Sequence, residues 1–295
     1  MGQPRENGGQ NIVTCYLCGS SDYKVRDGKV RDNDTLDVLE CNNCGLVFLS
    51  NLGHIDESYY EDSSMSEGLD VKEWLNETCV DDERRFEFVK EMIINKDIID
   101  FGSGAGGFLL KAKEVAKSVT AIELDNKIAE HYKQNNILRV TEINSLENER
   151  YDVITAFHVL EHLSEPIEIL KLLVFKLKKG GKLIVEVPNS EDALLTIYKN
   201  EAFSNFTYWS PHLFFYNSKT LQLLFKKVDG VEMEFVKHIQ RYPLSNHLHW
   251  LSNNKPGGHQ KWGSFIDSPE LKKAYEAQLS SIGATDTVVA QLIKR

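Results

Sequence analysis

The 295-residue chain has no run of eighteen apolar residues, which excludes a membrane-spanning helix. Its start, MGQPRENGGQ, lacks the basic-then-apolar order of a secretory signal, and MGQPRE does not end in the Ser or Thr of a myristoylation site. A cytoplasmic protein is therefore expected. Positive charge is scarce: 34 Lys and Arg face 44 Asp and Glu, for a net charge of −10, with no dense basic cluster. Between residues 56 and 83, eleven Asp or Glu face only Lys72. A nucleic-acid partner calls for a positive footprint that displaces counterions, so RNA or DNA is not the expected substrate. What remains is 41% apolar residues, enough to build the core of one large domain beside a small one.

Cysteine is also sparse, but its placement is ordered. Four of the five cysteines form two identical pairs, CYLC (Cys15, Cys18) and CNNC (Cys41, Cys44), with 22 residues between them. Two thiolates at this spacing chelate one ion from a tight turn, and two such turns complete a tetrahedral four-cysteine zinc site. The intervening SDYKVRDGKVRDNDTLDVLE is too polar to fold alone, so the ion would supply the folding energy. A disulfide or redox dithiol does not suit two matched turns in a cytoplasmic chain. Such a closed site is structural. Cys79, alone in an acidic helical stretch, is expected to be a half-buried thiol.

Residues 1–10 are expected to be disordered, 11–50 to form the zinc ribbon and 51–95 a helical connector. From 96 to 295 strands and helices alternate, which argues for an α/β domain with a mostly parallel sheet covered on both faces. Strands are expected at 97–101, 118–123, 138–143, 151–157, 182–188 and 231–239, with a last one in DTVVAQLIKR. Residues 162–181 read as a helix ending at a Gly pair. An insertion over 240–284 is too long for an idle hairpin loop.

The stretch IIDFGSGAGGFLL, residues 98–110, runs an apolar strand into a turn with glycines at 102, 104, 106 and 107. Such a turn brings a ligand against bare backbone and the amides of a helix N-terminus, and it serves dinucleotides and S-adenosylmethionine (SAM) alike. Asp100 is unfavourable beside a pyrophosphate and favourable near an ammonium group. Glu123, about twenty residues on, has a carboxylate that can take both ribose hydroxyls of either ligand.

Taken in order, DFGSGAGGF, AIELD, YDVITAFHVLEHLSEP and GGKLIVEVPN resemble the successive motifs of class I SAM-dependent methyltransferases. PHLFFYNSKTLQLLF is similar to the segment before strand six in the ubiquinone-biosynthesis-like subgroup. CNNCGLVFLSNLGHIDESYYED resembles the zinc-binding front end of bacterial methyltransferases of sugar and surface-polysaccharide biosynthesis. The resemblance implies a Rossmann-like seven-stranded methyltransferase sheet behind a small N-terminal zinc ribbon. It implies that Asp100, Gly102, Ser103 and Gly104 hold the methionine part of SAM, and Glu123 its ribose. Asn144, Ser145 and Leu146 would flank the adenine, and Phe157 and His158 would line the cofactor.

Methyl transfer to a hydroxyl needs a base, and His is the usual one near neutral pH. His212, in a segment expected over the active-site mouth, and His158 are the candidates; a hydrogen-bonded loop histidine is the alternative for His212. His162 reads as structural. His158 replaces the Glu of metal-assisted quinone O-methyltransferases, so no divalent ion is expected in this core. In the insertion, Tyr242, His247, His249, Trp250, Lys255 and His259 are the candidates for binding an acceptor, with an amphipathic lid as the alternative. The expected reaction is methylation of a hydroxyl on a sugar, nucleotide-linked sugar or glycan precursor. The alternatives are an RNA base methyltransferase, which calls for a basic ribbon where this one is net acidic, and a non-enzymatic sensor or scaffold.

Overall fold

The computed structural model describes residues 13–54 and 70–295. Residues 1–10, expected to be disordered, and residues 55–69 of the expected connector lie outside these residues. Two sheets organise the chain. The smaller one is built by β1 (Tyr23–Val25), β2 (Val38–Cys41) and β3 (Val47–Leu49), joined antiparallel. Its fourth strand, β9 (Phe214–Phe215), comes from far along the chain, with Val47 opposite Phe215 and Phe48 opposite Phe214. Phe48 and Phe214 are fully buried, so the ribbon is welded to the main domain by shared sheet and core.

The larger sheet has seven strands. β4 (Asp97–Phe101), β5 (Ser118–Ile122), β6 (Leu138–Val140), β7 (Tyr151–Phe157) and β8 (Leu177–Pro188) run parallel. β10 (Val231–Ile239) and β11 (Thr287–Lys294) complete it, in the order β10-β11-β8-β7-β4-β5-β6, and β11 is antiparallel to both neighbours. Strands such as DIIDF and YDVITAF are nearly all buried because helices cover both faces. The chain leaves β4 for β5 and β6, then returns to lay β7 on the other side of β4. That reversal opens a crevice at the carboxyl ends of β4 and β7, where ligands of such sheets bind.

The helix expected to reach the Gly pair stops earlier, at Lys176, and β8 begins at Leu177. Tyr151 pairs with Leu177 and Val153 with Lys182, so the four residues between, including both glycines, bulge from the strand rather than capping a helix. The connector contains a long helix, α1 (Val71–Ile93), started by a capping box between Asp70 and Glu73. Cys79 on it is exposed, not half-buried. The insertion folds as helices Leu244–Asn253, Gly258–Lys261, Gly263–Ile266 and Pro269–Ser281 between β10 and β11.

Candidate active site

The glycine loop leaves β4 at the crevice. Gly102 (φ +68°) and Gly104 (φ +53°) adopt left-handed conformations that side chains resist. A Cβ on Gly102 would lie 2.5 Å from Val159, and one on Gly104 2.9 Å from Trp74 of α1. The amide of Gly104 donates to Glu123 Oε2 at 2.7 Å, and Glu123 also accepts from the amide of Asp125. Ser103 Oγ accepts from the buried Tyr132 hydroxyl. Asp100 is buried beneath the loop, accepts from Thr155 Oγ1 at 2.6 Å, and is raised to about 7 by its burial. The amide of Glu123 donates to Val140 at the end of β6, and Asn144, Ser145 and Leu146 follow on that edge. Asn144 and Ser145 are exposed there and Leu146 is buried.

At the end of β7, His158 takes the positive φ of +56°, a strained value for a residue with a side chain. Its amide donates to the carbonyl of Glu186 on β8. Nδ1 lies 3.2 Å from Glu161 Oε1 and Nε2 3.2 Å from Glu186 Oε1; both carboxylates are 1% exposed. Burial opposes ionisation of Glu161, but the hydrogen bond and charge of His158 outweigh it and bring the carboxyl to about 2. Phe157 is buried beneath Arg85, whose guanidinium lies 4.9 Å from the ring centroid.

Glu186 is the hub of a cluster that sequence reasoning missed. Arg84 grips it with two bonds of 2.9 Å, and Arg85 adds a third through Nε. Arg241, at the start of the insertion, binds Asp81 of α1 and places Nη1 3.2 Å from His158 Nε2. Thus the connector helix is part of the site and covers one side of it. One signal was available: a glutamate inside the apolar strand KLIVEVP requires a buried cationic partner.

His212 sits differently from the expectation of a base at the mouth. Its ring packs edge-on against His162, Trp209 and Phe215, and its buried Nδ1 has no hydrogen-bond partner among the described residues. Burial lowers it to about 3, far from the value a base needs at neutral pH. With Glu161 and His162 it brings three ligand atoms within 4.8 Å of one another, a donor set that suits a divalent cation.

The insertion also corrects an expectation. His247 and His249 are 1% and 2% exposed, and their Nδ1 atoms meet Tyr275 Oη and the Lys255 carbonyl. Trp250 is packed edge-on against Phe203 and tilted on Phe206. All three are buried: the two histidines bond within the insertion, and Trp250 packs against helix Glu201–Thr207. Tyr242 and His259 meet at a tilted angle near the surface, and Lys255 is exposed, so the six do not converge.

In the ribbon, the four cysteine sulfurs lie within 4.8 Å of one another, with Cys15–Cys44 at 3.4 Å and Cys18–Cys41 at 3.5 Å, and none is in a disulfide. Zn–S bonds of about 2.3 Å give tetrahedral edges of about 3.8 Å, so the donors fit the ion.

The sheet order, the glycine turn at its switch point and the carboxylate beyond β5 define a class I SAM-dependent methyltransferase. Residues 76–229, just over half of the chain, match the family described as "Methyltransferase domain", and the chain belongs to it. It is 24% identical over 185 residues to a ubiquinone biosynthesis O-methyltransferase of Hydrogenovibrio crunogenus, covering 56% of this chain and 77% of the relative. It is 26% identical over 175 residues to a tRNA U34 carboxymethyltransferase of Campylobacter fetus, covering 52% and 62%. The alignment with a Coxiella burnetii ubiquinone biosynthesis O-methyltransferase covers half of that relative. Among solved structures, a SAM-dependent methyltransferase from Thermotoga maritima is 21% identical, with 76% of this chain and 96% of that one covered at a TM-score of 0.48.

Proposed function

We propose that this methyltransferase methylates a hydroxyl of a sugar, nucleotide-linked sugar or glycan precursor, with His158 as the base. The observation that carries this reading is the seat of His158. It stands at the end of β7 with a ring nitrogen against each of two buried carboxylates, and its neighbour Val159 packs on Gly102 of the loop. SAM supplies an electrophilic methyl on a sulfonium, and the chain aligns the acceptor and removes its proton. Gly102, Ser103 and Gly104 hold the methionine part, Asp100 faces its ammonium group and Glu123 takes the ribose hydroxyls. Asn144, Ser145 and Leu146 flank the adenine, and Phe157 lines the cofactor. Glu161 Oε1, 3.2 Å from His158 Nδ1, favours the tautomer with the proton on that nitrogen. Nε2 stands 3.2 Å from Arg241 Nη1, which donates into its lone pair, so the acceptor hydroxyl displaces that donor and Nε2 then receives the proton.

The O-methyltransferases among the relatives support an oxygen acceptor. Tritiated SAM incubated with a panel of nucleotide sugars and glycan precursors tests the reading: label in a sugar is expected, and its loss in His158→Asn identifies the base. Label that persists unchanged in that variant overturns the base assignment; a panel without label overturns the acceptor. The tRNA enzyme among the relatives favours a second reading, methylation of an RNA base. Retention of total RNA on a filter by this acidic protein would favour it over the first.

Cys15, Cys18, Cys41 and Cys44 hold a structural zinc ion on this reading. Replacement by cobalt should produce the visible absorption of tetrahedral thiolate ligation; a colourless protein would refute it.

A further inference from the structure

Helix Leu244–Asn253 of the insertion is apolar on two sides. His247 and Trp250 face the interior and are buried. Leu244, Leu248 and Leu251 recur at the i, i+4, i+7 spacing of a single helix face. That face looks outward: Leu244 is half-buried, Leu248 is 38% exposed and Leu251 43%.

Two aromatic rings flank this stripe. Phe206 leans on Trp250, with ring centroids 5.2 Å apart, and stays exposed on its other side. Phe265, on helix Gly263–Ile266, is 72% exposed, and Trp262 just before it packs on His249. Nothing among the described residues covers these side chains. Exposed apolar groups gathered on one element mark a docking surface.

Charge says what docks there. Over residues 240–284 five Lys and Arg face three Asp and Glu, the reverse of the balance in a chain of net charge −10. Lys255, Lys261, Lys272 and Lys273 are exposed, and none is in an ion pair among the described residues. Of the three carboxylates only that of Glu270 lies in the open: Glu276 is half-buried, and Asp267 is buried, accepting from the Ser245 amide. Large apolar side chains interleaved with lysine suit a membrane interface, where the stems lie along apolar groups and the ammonium heads reach phosphates. Protein interfaces are depleted of lysine. A second copy meeting this face about a two-fold axis would set lysine against lysine.

We infer that the outer face of the insertion docks on an anionic phospholipid bilayer. The docking is peripheral, since no described helix is long and apolar enough to cross a membrane. The insertion starts at Arg241, whose Nη1 stands 3.2 Å from His158 Nε2, so the docked element is joined directly to the site. The inference holds for any acceptor and does not depend on the sugar reading.

Vesicle flotation of the full chain tests it. Vesicles containing phosphatidylglycerol should carry the protein upward, vesicles of phosphatidylcholine alone should carry far less, and added salt should release it. Leu248→Ser combined with Leu251→Ser should weaken binding by about tenfold or more. Lys272→Gln combined with Lys273→Gln should weaken it by about ten- to thirtyfold at low salt. Both variants should leave calorimetric binding of S-adenosylhomocysteine unchanged, which verifies the fold. Failure to float with phosphatidylglycerol vesicles at low salt overturns the inference. So does binding that neither variant weakens, or equal uptake by neutral lipid. Sedimentation velocity tests the other occupant: a dimer that the double leucine variant dissociates assigns the face to a second copy and overturns bilayer docking.

Discussion

Two regions of this molecule carry pairs of closely spaced histidines, and they come to opposite ends. Around the end of β7, His158 faces the buried carboxylates of Glu161 and Glu186 and sits on a strained backbone beside the glycine loop. In the insertion, His247 and His249 are equally rich in neighbours, but those neighbours are Tyr275, Gln240, Trp262 and a backbone carbonyl. The first ring is held by charge and stays 19% exposed; the others are nearly sealed, and burial lowers His247 to about 4. On the proposed reading, a histidine does chemistry where it meets both a charge that holds it and a path to the substrate. Where it meets only neutral partners, it is a polar piece of core.

The comparison breaks most visibly at His158. His158→Ala should lower kcat by about 10² to 10⁴-fold, the usual contribution of a general base, with little change in melting temperature. Activity within a few-fold of wild type would make this ring structural as well. Glu186→Gln comes next. Removing the hub leaves Arg84 and Arg85 with an uncompensated buried partner, and about 3 kcal/mol or more of stability should be lost in urea titration. Unchanged stability would mean that the arginines reach solvent instead.

His247→Ala should show the reverse pattern to His158→Ala: a loss of about 2–3 kcal/mol in urea, from a cavity and two broken hydrogen bonds, with kcat preserved. A variant that is stable yet inactive would return the insertion to the acceptor site. The smallest effect is a pH dependence. Burial holds Asp100 at about 7, so it is protonated below that pH and cannot pair with an ammonium. Affinity for S-adenosylhomocysteine should then fall as pH drops through 7, by up to about tenfold per unit, and Asp100→Asn should flatten the curve. The stability sign is opposite: from about 3.9 to 7 the folded state holds the extra proton, so stability from this group declines as pH rises. Calorimetry between pH 5 and 8, run beside urea titrations, checks both.

Much of the α/β domain was legible because its signals are local. Strand β7 and strand β10 lie at 151–157 and 231–239, where alternation and apolar runs put them. The glycine turn and Glu123 stand at neighbouring strand ends, and the Gly104 amide reaches the carboxylate. The Gly pair at 180–181 misled, because a bulge and a helix stop use glycine for the same backbone freedom. Arg84, Arg85 and Arg241 were not legible: their partners are 101 to 160 residues away in the chain, and nothing in RRF or QRY distinguishes a buried guanidinium from a surface one.

From the order of residues alone came the mostly parallel sheet, the glycine loop and the two CxxC turns, since each depends on contacts within a few residues or on a repeated spacing. Tertiary packing decided which histidine meets a carboxylate, that α1 closes over the site, and that a strand at 214–215 fastens the ribbon to the domain. Those outcomes depend on burial and on charges brought together from distant segments, and the free energy of such a contact exists only once the chain has folded around it.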